Sequence, residues 1–269
     1  MERVFMSIDI FSILSGSHSS NTLIPARDPG AATGSSFIQT NMNLYGNVRE
    51  AHILNEFLHG NIPDFLRDFT PVTAVDGANK ITYLVMSDVL SIGTDADYVR
   101  MPMNPHTAQA IADKYDCTLP TRKMVNDIWS QSVNKLLPLP WGAPYTIDIM
   151  YTHRIGTHSQ RIDEQLVGKD PHALTSGHKK DVVLTNRLAP NNPGKHVAIY
   201  GWMQLNGVPI QGLNPDSHAD YYADYSHGIR LISNDVMVNG IPMRMQDVFA
   251  DPKLSLLVSD EGPLSFLRY

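Results

Sequence analysis

Apolar residues recur at three-to-four spacing from Val48 to His59, at Ala51, Leu54, Phe57 and Leu58, and predict an amphipathic helix. Gly60-Asn61 closes it in the usual C-terminal manner. Ile62-Pro63-Asp64-Phe65-Leu66-Arg67 predicts a short helix with the proline in its first turn. Asn104-Pro105 predicts another helix start, with Asn104 as cap and Ala108, Ile111 and Ala112 facing inward. Pro120-Thr121 precedes a further helix, with Met124, Val125, Ile128, Trp129 and Val133 on one face and Pro138 and Pro140 beyond it. Gln160–Leu166 carries a weaker helical pattern.

Residues 72–100 contain β-type runs, of which Thr82–Met86 is the strongest. From Asp181 strands dominate: 181–185, 197–200, 228–232 and 235–238. Asn239-Gly240 predicts a hairpin into Ile241-Pro242-Met243, and Asn206-Gly207 a similar turn before Val208-Pro209-Ile210. The pattern predicts an α+β fold, a helical N-terminal half packed on a mostly antiparallel C-terminal sheet. Residues 15–45 are rich in Ser, Gly, Asn, Thr and Pro. They make 1–45 a loop-rich N-terminal arm, with 46–269 as a single α+β catalytic domain.

At 269 residues, 42% apolar and 18% charged, the chain reads as a folded, soluble protein with a sizeable core. Its longest apolar run, Ile8–Leu14, is interrupted by Asp9 and Ser12 and is too short to span a bilayer, so no membrane insertion is expected. Net charge is −6 with no basic block, which argues against a nucleic-acid partner. Glu2, Arg3 and Asp9 make the N-terminus a poor secretory leader. Cys117 is the only cysteine, so no intramolecular disulfide can form. It reads either as a small buried hydrophobe or as a free nucleophilic thiol.

The densest chemistry lies in residues 217–231, where His218, Asp220, Tyr221, Tyr222, Asp224, Tyr225 and His227 lead into an apolar strand. Seven of the eleven histidines lie at or after His153. His153, His158 and His172 read as ordinary surface histidines. His178, His196 and His227 each stand directly before a strand, where a fixed backbone still lets an imidazole reach a cleft. Alternation puts His227 on the face of Ile229 and Leu231, with Asp224 or a tyrosine hydroxyl as its nearest partner in sequence. A satisfied structural histidine and a catalytic one fit this pattern equally.

Tyr115-Asp116-Cys117-Thr118 ahead of a helix, then His196-Val197-Ala198-Ile199-Tyr200, then Pro209-Ile210-Gln211, resembles the order of elements in NlpC-type papain-fold cell-wall peptidases. The resemblance covers about a third of the chain in three short pieces. It implies Cys117 as nucleophile, His196 as base and Gln211 as the group that orients the imidazole. The activity it implies is hydrolysis of a peptide or amide bond in a cell-wall-like polymer.

Two other chemistries fit the histidine- and tyrosine-rich run. His218, Asp220, Asp224 and His227, with His178, supply zinc-type ligands, although the spacing matches no zinc signature and the hydrolase reading calls for no cofactor. Tyr221, Tyr222, Tyr225, His227 and Arg230 would suit β-elimination from a uronic acid, with a cation on the carboxylate. Leu119-Pro120-Thr121, Trp129, Pro140-Trp141-Gly142 and Gly228–Leu231 are faintly similar to the formylglycine-generating-type lectin fold, which implies a glycan- or protein-binding module. The expectation is a hydrolase acting on a polymeric or peptide substrate. Its site residues are His227, Asp224, His178, Cys117, His196 and Gln211, with Tyr221, Tyr225, Arg230 and Trp202 holding substrate.

Overall fold

Thr33, Asn104 and Thr121 each accept a hydrogen bond from the backbone N–H three residues on, and each starts a helix. The computed structural model describes residues 24–142, 146–188 and 196–269. Its helices are α1 (Gly34–Asn41), α2 (Gly46–Leu58), α3 (Pro105–Lys114), α4 (Arg122–Gln131), α5 (Thr152–Asp163) and α6 (Met245–Ala250). Gly60, at φ +73°, ends the turn after α2, where its N–H reaches the Phe57 carbonyl and that of Asn61 the Glu56 carbonyl.

The strands are β1 (Phe69–Asp76), β2 (Asn79–Met86), β3 (Ser91–Thr94), β4 (Asp97–Arg100), β5 (Cys117–Thr118), β6 (Asn134–Lys135) and β7 (Thr175–Ser176), followed by β8 (Lys180–Val182), β9 (Ile199–Met203), β10 (Pro209–Asn214), β11 (His227–Gly228), β12 (Ile232–Val238) and β13 (Ile241–Arg244). They form a five-stranded sheet in the order β1-β2-β12-β13, with β5 also on β12, and a four-stranded sheet in the order β10-β9-β8-β11. Pairing is antiparallel except for two short parallel pairs, β6–β7 and β8–β11. The architecture is α+β, with helices and largely antiparallel sheets.

Four expectations are corrected in detail. The larger sheet draws β1 and β2 from the N-terminal half, so helices and strands are not divided between the halves. Part of the expected arm is structured: α1 buries Phe37, and Ile24 joins the core, whereas residues 15–23 lie outside the described residues. Helix α5 starts at Thr152, well before Gln160, because it buries His158 and Ser159 beside Ile155 and Ile162. Polar residues on the inward face hide a helical period. Val133, expected on the inner face of α4, lies past its end and is exposed.

The expected strand 228–232 is broken. His227–Gly228 pair with β8, and the chain then passes residues 86–90, where the Leu90 and Met86 N–H groups donate to the Ile229 and Leu231 carbonyls. Arg230 is held in that crossing by hydrogen bonds to the Met86 and Thr175 carbonyls. This crossing joins the two sheets and fixes the backbone on both sides of His227. Among the described residues no helix is long and apolar enough to cross a membrane.

Candidate functional site

Consecutive residues from His178 to Asp181 place four ionisable side chains in and beside the four-stranded sheet. His178 is fully buried, its Nε2 3.0 Å from Asp88 Oδ1. Neither imidazole nitrogen has a well-directed hydrogen bond in this geometry. Burial lowers the His178 pKa, against the pull of Asp88. Asp88 also accepts from Arg100 Nε at 2.9 Å, and Arg100 reaches Asp163 at 2.5 Å. Although burial opposes it, Arg100 and His178 hold the Asp88 carboxyl far below the usual range.

Lys179 is buried as well. Its Nζ lies 3.1 Å from His158 Nδ1 and donates to the Tyr225 carbonyl. Burial, helped by Arg100, pushes its pKa down to about 7. Burial and Lys179 keep His158 neutral. Gly228 makes room for this lysine, since a Cβ there would lie 2.8 Å from both Lys179 Cβ and Val89 Cγ1. Asp181, pushed up to about 6 by burial against the pull of Arg230, sits 3.8 Å from Arg230 Nε. Asp181 Oδ1, Arg230 Nε and Ser176 Oγ are buried without hydrogen-bond partners.

Lys180 leads outward. The parallel β8–β11 register sets it opposite His227, and its Nζ lies 4.5 Å above the Trp202 ring. Trp202 has φ +57°, a conformation that costs a non-glycine residue on the order of 1–2 kcal/mol. Its N–H groups donate to the Lys179 and His178 carbonyls, and these bonds hold it there.

Asp224 organises the outer cluster. Its Oδ2 accepts from the Tyr222 hydroxyl at 2.7 Å, and its Oδ1 from the Ser226 N–H and hydroxyl at 2.8 and 2.6 Å. Burial opposes ionisation, but His227, the Ser226 hydrogen bond and Lys180 bring the carboxyl down to about 2. The His218 ring stacks on Tyr222 at 4.2 Å with 4° between planes. His227 meets Tyr222 edge-on at 5.7 Å and stands 6.3 Å from His218. Burial brings His227 down to about 4 despite Asp224, and both its ring nitrogens are without partners. Burial lowers His218 too, with Asp224 raising it and Lys180 lowering it. Tyr222 is raised by burial and by Asp224, so its phenol stays protonated.

The structure therefore brings Asp224 and His227 together, while His178 pairs with Asp88 and its neighbour Lys179 reaches the Tyr225 carbonyl, two residues before His227. Both His178 and His227 are sealed from solvent, while His218, Tyr222 and Lys180 are only half-buried and form the accessible face. Tyr225 and Trp202 lie beneath that face, and Arg230 is locked to backbone carbonyls. Tyr221 is exposed.

Cys117, His196 and Gln211 are not brought together. Cys117 pairs with Ser233 in the other sheet, and its thiol donates to the Tyr115 carbonyl. Burial and the neighbouring Asp116 carboxylate push that thiol far up, opposite to what a nucleophile needs. His196 bridges to Ala219, and Gln211 lies opposite Gly201 on β10 with its amide on the Gly212 carbonyl. The zinc set does not converge either, because Asp220 turns away to His106 at 2.8 Å. Among the described residues no three His, Cys, Asp or Glu side chains are grouped to hold a metal ion.

Sequence reasoning missed Asp88, Arg100, Lys179 and Lys180, and set His158 aside as a surface residue. The lysine pair running straight into a strand was the available signal, since a cation there must find a partner. Compared with known protein families, curated proteins and solved structures, the chain matches none.

Proposed function

We propose that the chain is an acid–base enzyme acting on a polymer, with its reaction at the half-exposed His218 beside Lys180 and Tyr222. The observation that carries this reading is the coplanar stacking of His218 on Tyr222, the phenol itself anchored to a buried, ionised Asp224. Stacking fixes the ring orientation, and the nearby carboxylate favours the imidazolium that forms when His218 takes a proton. Lowered by burial, His218 is neutral near pH 7 and can serve as a base.

The chemistry best supported is β-elimination from a uronate-bearing polysaccharide. Lys180 meets the uronate carboxylate and makes the adjacent carbon acidic. His218 removes that carbon's proton, the electron pair forms the ring double bond, and the glycosidic carbon–oxygen bond breaks. His218 then returns the proton to the leaving oxygen. The balance needs no thiol, metal or water. Tyr222, Asp224 and His227 position the imidazole.

Hydrolysis of an amide in a cell-wall polymer through the same histidine is the second reading. It is supported by Lys180, which could face a tetrahedral oxyanion while His218 activates water. Incubation with polygalacturonate should release product absorbing in the unsaturated-uronate band, and His218→Ala should abolish it. Release of free amines from peptidoglycan without that absorbance would instead favour hydrolysis. Retention of polymer with no turnover of either substrate would mark a binding module.

A further inference from the structure

Trp141 stands apart from the reaction cluster yet connects to it through packed rings. Its centroid is 5.9 Å from Tyr225, and Tyr225 is 6.2 Å from Trp202, the ring under Lys180. The Tyr225 hydroxyl accepts the Trp141 backbone N–H at 2.8 Å, which ties the two segments. Two guanidinium groups of α5 lie against the same indole, Arg154 at 5.3 Å and Arg161 at 5.1 Å. They differ in one respect. Arg154 is paired with Asp148 at 2.6 Å, whereas Arg161 has no acidic partner among the described residues. The indole Nε1–H is also buried without a hydrogen-bond acceptor.

We infer that Arg161, laid on Trp141, forms a second subsite that binds a carboxylate of the same acidic polysaccharide, at a distance from the reacting sugar. A guanidinium held against an indole loses less rotamer freedom when it captures a carboxylate, and its planar fork suits bidentate pairing. The half-exposed Arg161 offers that fork to solvent. Cations stand at both ends of one aromatic row, Arg161 at Trp141 and Lys180 at Trp202, and a chain with a carboxylate on every sugar offers an anion to each. The inference rests on the elimination reading for its substrate class, but its geometry is independent of the reaction.

The test is equilibrium binding of a short and a long oligogalacturonate, a dimer and a hexamer, to the full chain and to Arg161→Ala and Arg161→Lys variants. Turnover is followed in parallel. The expected result is about a tenfold loss of hexamer affinity in Arg161→Ala, the loss of one charge-assisted pair, with dimer affinity unchanged. Arg161→Lys should recover only part, because it keeps the charge and loses the planar fork. Equal hexamer affinity in wild type and Arg161→Ala overturns the subsite while leaving the elimination reading intact. Hexamer binding that depends on Arg161, without any unsaturated product, overturns the elimination reading and leaves the subsite standing. Preference for polyglutamate over oligogalacturonate, or binding of neither, overturns the proposed ligand.

Discussion

Two regions hold comparable sets of ionisable groups and use them differently. At the β5–β12 edge, Asp116 pairs with Arg244, which also takes Asp235 at 2.6 Å, while Asn234 donates to Asp116. Each charge there has its opposite, and the one thiol nearby is capped by a carbonyl. Around β8 and β11 the inventory is richer and poorly satisfied: His178, His227, Asp181, Arg230 and Ser176 all leave buried polar atoms without partners. Such groups cost free energy, and folds keep them where their chemistry is needed. Mutual satisfaction marks a brace. Unmet donors and acceptors beside an accessible imidazole make the second region the candidate site.

Four substitutions put that contrast to the test. Asp88→Ala should have the largest effect, because it leaves Arg100 and His178 buried without their shared anion. A loss of about 3–5 kcal/mol is expected, read as a fall in the urea midpoint. If Asp88→Ala folds as stably as wild type, the ionic layer beneath the site is not what holds it.

Tyr222→Phe should leave stability nearly intact but lower turnover, on the order of tenfold to a hundredfold. It frees the imidazole's platform from Asp224 while keeping the ring. The informative readout is the pH–rate profile, whose limb for His218 should shift. An unchanged profile would assign Tyr222 to packing alone.

Lys179→Met addresses the sign of the buried charge. Lys179 ionises near 7 when folded, well below the usual lysine value near 10.4, so the unfolded chain binds more protons between those limits. Wild-type stability should therefore rise with pH across that window, by at most about 1.4 kcal/mol per pH unit. The methionine variant should lack this slope. Parallel profiles for both proteins would place the lysine's charge in solvent.

Cys117→Ala should change least: about 1 kcal/mol of stability and no loss of activity, with the folded wild type resistant to iodoacetamide. Rapid labelling or an inactive alanine variant would return the thiol to the reaction.

Local signals were legible in the sequence and long-range ones were not. Capping residues gave the helix starts at Pro105 and Arg122, and Asn239-Gly240 gave the β12–β13 hairpin, because each depends on contacts within a few residues. The start of α5 was hidden because its buried face carries His158, whose partner Lys179 comes from another element. Of the site, Asp224 and His227 were found from their density in one short run. Asp88 and Lys180 were not, since their roles depend on pairings across 90 and 44 positions of chain, to His178 and Asp224. The NlpC-like order of Cys117, His196 and Gln211 is a linear pattern whose members the fold sets on different elements: Cys117 on β5, Gln211 on β10 and His196 in an isolated bridge to Ala219.

The parallel contact between β8 and β11 spans only two residue pairs, Lys180 with His227 and Asp181 with Gly228, and all of β9 and β10 intervenes in the chain. A hairpin such as β1–β2 closes around a short turn and can form early, whereas this contact must wait until a long loop has been closed. During refolding, closure of this contact should lag behind compaction, with the near-UV signal of the packed aromatic rings returning after the far-UV signal is complete. Newly made chains would then hold a formed core while the crossing around His227 was still open.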